Sequence, residues 1–88
     1  MIRARVVVSG RVQGVWYRQS CRDVAVAAGV RGWVRNNRDG TVEAVLEGDP
    51  KAVEGVVAWM REGPDRATVS DLRRSDEEPA GEAAFDVR

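Results

Sequence analysis

Polar and apolar residues alternate at the start of the chain, as in a strand with one buried face. Gly10 is predicted to end this strand. From about Trp16 the apolar spacing changes to that of a helix, which Gly29 is predicted to end. The predicted buried face of the strand is Ile2, Ala4, Val6 and Val8, and that of the helix is Tyr17, Cys21, Val24, Ala25 and Ala28.

The next segments predict a hairpin followed by a second helix. Residues 30–35 and 41–46 alternate as strands, and the turn-forming residues 36–40 separate them. Asp49 followed by Pro50 is typical of a helix start, and the apolar face that follows is Val53, Val56, Val57 and Met60. A fourth strand is expected around residues 67–72, although Val69 and Leu72 do not share a parity.

The C-terminal residues predict a loop and a last short strand. Residues 76–81 are rich in acidic residues, Pro and Gly, which indicates a solvated loop, and residues 84–87 are expected to close the sheet. The order β-α-β-β-α-β, with a short C-terminal strand, predicts an α+β fold, the ferredoxin-like split βαβ sandwich. We expect one domain over residues 1–88, with an antiparallel sheet and two helices on one face.

Composition limits the possible functions. The 88 residues contain 14 Lys and Arg and 14 Asp and Glu, so the net charge of zero argues against a general polyanion binder. No apolar run approaches the ~20 residues that span a bilayer. We therefore expect a soluble, cytoplasmic monomer that binds neither nucleic acid nor membrane.

Catalytic side chains of the usual kinds are scarce. The chain has no histidine and one cysteine, so a Cys–His pair and a Ser-His-Asp triad are both impossible. Cys21 lies on the predicted buried face of the helix and is interpreted as a small core residue. Trp33 and Trp59 are interpreted as half-buried packing residues. We expect no metal and no cofactor.

The passage between the first strand and the first helix is the most informative segment. Gly10 and Gly14 allow the backbone to curl so that its N–H groups converge, and the helix that follows adds unpaired N–H donors. Arg18, in the first helical turn, has the planar guanidinium that binds two phosphate oxygens together. The sequence thus predicts an anion site, although the two glycines could instead shape a tight turn beside a solvated arginine.

Asn36 lies at the end of the second predicted strand, close to this loop in a split βαβ order. Its carboxamide could donate to a phosphate oxygen or accept from a water. Asn is also a common turn residue, and Asn37 follows it.

These residues resemble the acylphosphatase family. Residues Gly10 to Arg18 follow its pattern G-x-V-Q-G-V-x-F/Y-R, and Gly32 to Asn36 with Asp39 to Glu43 follow G-x-V-x-N-x-x-D-G-x-V-E. The likeness continues through Gly63-Pro64 to Phe85, so it covers nearly the whole chain.

The resemblance implies roles for particular residues. Arg18 would bind the phosphate of the substrate, and Asn36 would position the attacking water. Trp16 stands at a variable, often small, position at the pocket rim, and Asn37 stands where many members have a Thr or Ser that orients the asparagine. The phosphate-binding loop would be the backbone of Arg11, Val12, Gln13, Gly14 and Val15.

The implied reaction is hydrolysis of small acyl phosphates, with inorganic phosphate as product and competitive inhibitor. A carboxylate leaves without an acid donor, so this reaction needs only a held phosphoryl group and a placed water, which suits a chain without histidine. Two other functions remain open at this point. The same loop could serve a regulatory module that senses phosphate or binds a partner protein. The fold could also bind RNA, although the scarcity of aromatic residues argues against this function.

Overall fold

The computed structural model describes residues 1–88 and contains five strands and two helices. The sheet has the strand order β4-β1-β3-β2-β5. The predicted β-α-β-β-α-β order, with a short C-terminal strand, and the ferredoxin-like fold are confirmed. The elements are β1 (Ile2–Arg11), α1 (Tyr17–Ala27), β2 (Arg31–Asn36), β3 (Val42–Gly48), α2 (Pro50–Met60), β4 (Thr68–Glu77) and β5 (Phe85–Val87).

The core lies between both helices and one face of the sheet. On β1 it is formed by the alternating residues Ala4, Val6 and Val8, as predicted. The opposing residues of β3 are Val42, Ala44 and Leu46, which pair with them in antiparallel register. Because both helices bury their apolar residues in this one cluster, the two-layer arrangement follows from the periodicities of 2 and 3.6 in the sequence.

Each helix has 11 residues, and neither is long and apolar enough to cross a membrane. The Asp49 side chain accepts a hydrogen bond from the Lys51 N–H at 3.0 Å, which confirms the predicted start of α2. Tyr17, Cys21 and Ala25 are buried on α1. The prediction was wrong at Ala28, which is exposed because α1 ends one residue earlier.

The fourth strand is longer than predicted and contains an irregularity. Leu72 lies opposite Val8 and Val69 opposite Gly10, so Ser70 is an extra residue in β4. This bulge places Val69 and Leu72 against the same core despite their spacing of three. The strand continues to Glu77 opposite Arg3, so the predicted loop over residues 76–81 was wrong at its first two residues.

The short C-terminal strand is confirmed, but its direction was not predicted. Residues 85–87 of β5 pair in parallel with residues 32–34 of β2, whereas all other strand pairs are antiparallel. The sheet is therefore mixed, and the expectation of an antiparallel sheet was wrong at this edge. Strands β1 and β2 both run antiparallel to β3, and β4 runs antiparallel to β1. The chain therefore leaves β4 at the end of the sheet where β2 starts, and β5 runs beside β2 in the same direction.

The other face of the sheet, which we call the open face, carries an ion-pair network across its strands. Arg3 donates to Glu47 at 2.6 Å and to Glu77 at 3.0 Å, and Arg5 donates to Glu43 and to Glu77. These cross-strand ion pairs neutralise Arg3 and Arg5 in the N-terminal strand.

Two further features complete the open face. Trp33 is 6% exposed, more buried than expected, because the guanidinium groups of Arg5, Arg35 and Arg88 lie over its ring at 4.7–5.5 Å. Trp59, which lies on α2 and not on the open face, is half-buried, as predicted. The Glu47 carboxylate also accepts hydrogen bonds from the N–H groups of residues 80–82, so this part of the predicted solvated loop is held on the sheet.

Candidate active site

The loop between β1 and α1 is curled and anchored by its valines. Val12 and Val15 are buried, while Gly14 and Trp16 adopt left-handed backbone conformations with φ of 74° and 65°. Val15, between them, has a negative φ. Successive residues of opposite handedness form the concave type of backbone that binds anions.

The N–H groups of this loop have no acceptor within the chain. From Gln13 to Gln19, no backbone N–H donates a hydrogen bond to another group of the chain, and the start of α1 has no side-chain cap. An uncapped helix start leaves up to four N–H donors unpaired and carries the positive end of the helix dipole. The arrangement is suited to an oxyanion such as phosphate.

The two glycines of the loop serve different purposes. A Cβ on Gly10 would lie 2.2 Å from the carbonyl oxygen of Thr68, so this glycine permits the close approach of β1 and β4. Space around Gly14 is open, and its requirement comes from its φ of 74° alone. Arg11 belongs to β1, where it lies opposite Thr68, so the loop itself begins at Val12.

Gln13 connects the loop to the turn between β2 and β3. Its Nε2 donates to the backbone oxygens of Asn37 at 2.8 Å and Thr41 at 3.0 Å. This contact holds the loop beside the end of β2, where Asn36 lies. Sequence reasoning treated Gln13 as a backbone donor only, and the Gln of the loop motif was the available signal for a side-chain role.

The structure places Arg18 near the same end of the sheet. Its Nη1 donates to the carbonyl oxygen of Arg88 at 2.9 Å, and the Arg88 N–H in turn donates to the Val34 carbonyl at 2.8 Å, two residues before Asn36. Arg18 forms no ion pair with an Asp or Glu side chain, and it lines a pocket of about 330 Å³. The residues around this pocket are Gly14, Trp16, Tyr17, Arg18, Gln19 and Val87.

Asn36 is the last residue of β2, and its Oδ1 is buried without a hydrogen-bond partner in the chain. Most buried side-chain oxygens have a partner, so this acceptor is unusual. The neighbouring Asn37 has its carboxamide engaged elsewhere, since its Nδ2 donates to Thr41 at 3.0 Å and to Glu43 at 3.1 Å. The structure thus brings Asn36 and the loop to one region, but it shows no hydrogen bond between Asn37 and Asn36.

Titratable side chains near the loop are not available as bases or nucleophiles. Burial raises the pKa of the Cys21 thiol to about 12, and this residue is fully buried, as predicted for a core residue. Burial likewise raises the pKa of Tyr17, whose hydroxyl donates to the Met60 carbonyl at 2.7 Å. No group of three or more His, Cys, Asp or Glu side chains is placed to hold a metal ion.

Glu43 stabilises the turn beside the site. Burial raises the pKa of its carboxyl, but Arg5, Asn37 and Arg35 together outweigh burial and hold the pKa below its usual value. The carboxylate therefore stays charged, and it fixes Asn37 at the start of the turn that Gln13 contacts.

Comparisons with known proteins identify the family of this chain. The sequence model of the acylphosphatase family, described as "Acylphosphatase", matches residues 4–87. The chain is 57% identical over 83 residues to an acylphosphatase of Pyrobaculum calidifontis, covering 93% of this chain and 76% of that protein. It is 54% identical over 86 residues to an acylphosphatase of Haloquadratum walsbyi, covering 98% and 92% of the two chains.

A solved structure extends the likeness to the fold. The crystal structure of acylphosphatase from Bacillus subtilis superposes with a TM-score of 0.96 at 31% identity, and the match covers 100% of this chain and 99% of that chain. The chain therefore belongs to the acylphosphatase family and is an enzyme of the hydrolase class. The resemblance noted in the sequence is confirmed.

Proposed function

We propose that this protein hydrolyses the carboxyl–phosphate bond of small acyl phosphates, releasing a carboxylate and inorganic phosphate. In this proposal the loop backbone and Arg18 bind the phosphoryl group, and Asn36 positions the attacking water. The observation that carries it is the buried, unpartnered Oδ1 of Asn36 at the end of β2, beside a loop whose N–H groups are unpaired.

Binding of the phosphoryl group rests on two kinds of donor. The unpaired N–H groups of residues 13–15 lie on a curled backbone that Val12 and Val15 anchor in the core, so they are available to an oxyanion. The guanidinium of Arg18 adds a charge that pairs with no Asp or Glu side chain. Its hydrogen bond to the Arg88 carbonyl leaves its other N–H donors for phosphate oxygens.

Placement of the water rests on Asn36. A buried carbonyl oxygen without a protein donor accepts a hydrogen bond from a water O–H, which orients the water oxygen for attack on phosphorus. Gln13 holds the phosphate-binding loop against the turn that follows Asn36, which supports a common site for the water and the phosphoryl group.

The chemical step requires no acid or base from the protein. The water oxygen forms a bond to phosphorus while the bond from phosphorus to the carboxyl oxygen breaks, and that electron pair leaves with the carboxylate. One water proton passes to a phosphate oxygen of the substrate, and the product is dihydrogen phosphate. This route is supported by the absence of histidine and by the burial of Cys21 and Tyr17.

The first test is turnover by the purified protein. Benzoyl phosphate and acetyl phosphate are expected to be hydrolysed, with orthophosphate as a competitive inhibitor. Binding of orthophosphate without turnover of either substrate would contradict the proposal and identify the protein as a phosphate-binding module.

The second test removes the carboxamide of Asn36. Asn36→Ala is expected to lower kcat by about 10²–10³-fold, the usual cost of one positioned polar group at a reacting centre. The inhibition constant of orthophosphate should be unchanged because the loop and Arg18 remain. Asn37→Ala is the matched control, with a much smaller effect expected because that carboxamide binds Thr41 and Glu43. Equal kcat values for the two variants would remove Asn36 from the mechanism.

A further inference from the structure

Trp16 is a large apolar residue that does not pack in the core. Its side chain is 77% exposed, so its burial contributes little to stability. The aromatic pair of the chain joins Tyr17 to Trp59, and the guanidinium groups stack on Trp33, so the Trp16 indole has neither kind of partner.

The backbone of Trp16 is also strained. Its φ of 65° makes it the one non-glycine residue of the chain with a positive φ. A bulky side chain rarely adopts this conformation, and strain of this kind concentrates at functional sites. The indole is therefore exposed to a ligand at a position whose backbone belongs to the curled loop.

The position of the indole specifies which part of a ligand it would contact. Trp16 lines the same pocket of about 330 Å³ as Arg18 and Gly14, and Val87, which is 41% exposed, lines it as well. The pocket thus combines phosphate-binding groups with two exposed apolar side chains. A phosphoryl group held by Arg18 is linked to its acyl group through one oxygen, so the acyl group must lie within a few bond lengths of this pocket lining.

We propose that Trp16 and Val87 form the acyl-binding wall of the pocket, and that they select acyl phosphates with a flat, apolar acyl group. This inference rests on the proposed function. An aromatic acyl group packs on the indole face or edge and against the Val87 methyl groups, whereas an acetyl group is too small to contact both. The two apolar side chains act on specificity, and Arg18 and the loop N–H groups bind the phosphoryl group.

Binding of two unreactive phosphonates tests the wall without turnover. Phenylphosphonate and methylphosphonate carry the same anionic group and differ in the apolar group attached to it. Calorimetry should show that the wild-type protein binds phenylphosphonate about threefold to tenfold more tightly, the range expected for one aromatic contact. Equal affinities would overturn the inference.

Removal of the indole should abolish this preference. Trp16→Ala is the direct variant, and Trp16→Gly is the second, since glycine adopts a φ of 65° without strain. In both, the ratio of the two affinities should approach one, and Trp16→Phe should restore most of it. Val26→Ala is the matched control, because Val26 is an exposed apolar residue of α1 that does not line the pocket.

Kinetics separate failure of this inference from failure of the proposed function. The ratio of kcat/KM for benzoyl phosphate over acetyl phosphate should fall by the same threefold to tenfold in Trp16→Gly, while the orthophosphate inhibition constant persists. If the wild-type protein hydrolyses both substrates and the ratio is unchanged in the variant, the acyl wall is wrong and the proposed function stands. If the wild-type protein hydrolyses neither, the proposed function itself is wrong.

Discussion

The arginines of the open face pair with glutamates, whereas the arginine of the pocket, Arg18, does not. On the open face, Arg3, Arg5 and Arg35 donate to buried or half-buried glutamates on neighbouring strands. At the pocket, Arg18 has one hydrogen bond, to the main-chain oxygen of Arg88, and no Asp or Glu partner. The open face neutralises its cations within the fold, whereas the pocket leaves a cation and a set of backbone N–H donors unpaired.

This difference separates groups that stabilise the fold from groups left for a ligand. Burial of Arg3 and Glu47 is tolerated because each charge has several partners. Arg18 makes a single hydrogen bond to the chain, and Trp16 is both exposed and strained. Exposed apolar side chains and strained backbone do not stabilise a fold, and residues with these features are expected at a functional site.

The largest expected effect is on activity at the pocket. Arg18→Ala should lower kcat/KM by about 10³-fold or more, since it removes the cation that stabilises the transferring phosphoryl group. It should also abolish inhibition by orthophosphate. The midpoint of urea denaturation should not change, because Arg18 makes a single hydrogen bond to the chain.

The matched control for Arg18 is Arg22→Ala, which removes an arginine from the next turn of the same helix. Arg22 lies 3.8 Å from Asp23 and does not line the pocket, so activity and inhibition should persist. Equal losses in both variants would mean that the general charge of α1, and not Arg18 itself, supports activity.

The second effect is on stability at the open face. Glu47→Gln is expected to lower the free energy of unfolding by about 2–3 kcal/mol, because a buried charged acceptor is lost while Arg3 stays buried. Urea denaturation at pH 7 measures this loss. Asp71→Asn, in an exposed pair with Arg73, is the control and should leave the midpoint unchanged.

The sign of the pH dependence follows from the same carboxylate. Burial raises the pKa of Glu47, but the N–H groups of residues 80–82 and Arg3 outweigh it and lower the pKa to about 2. Because the folded-state pKa is depressed, this contribution to stability is complete above the unfolded value of about 4.3 and is lost as the pH falls toward 2. The difference between wild type and Glu47→Gln should therefore shrink between pH 5 and pH 2.

A smaller effect is expected from Trp16. Trp16→Gly should raise the free energy of unfolding by at most about 1 kcal/mol, since relief of the left-handed strain exceeds the added entropy of the unfolded chain. Thermal denaturation measures the change. A clear loss of stability would show that the indole supports the fold and would weaken the contrast between the two regions.

The smallest expected effect is that of a chelator. Turnover of benzoyl phosphate should be the same before and after dialysis against EDTA, because the proposed mechanism uses backbone N–H groups, Arg18 and Asn36 alone. Loss of activity that Mg²⁺ or Zn²⁺ restores would require a metal in the reaction.

Local pattern was sufficient for most of the fold, and it allowed site residues to be proposed. The alternation in β1, the helical spacing after Trp16 and the Asp49-Pro50 start of α2 are local signals with local physical causes, and all three were predicted correctly. The loop motif and Asn36 could be proposed as site residues because turn chemistry and the family resemblance are both readable along the chain.

Tertiary structure decided which charges pair and which stay free. The sequence does not show that Arg3 and Glu47 pair with each other, because the pairing of Arg3 depends on strand register across 44 or more residues. The bulge at Ser70, the parallel direction of β5 and the side-chain bonds of Gln13 are likewise long-range contacts. Short-range periodicity determined the elements, and only their packing determined the electrostatic division between the open face and the pocket.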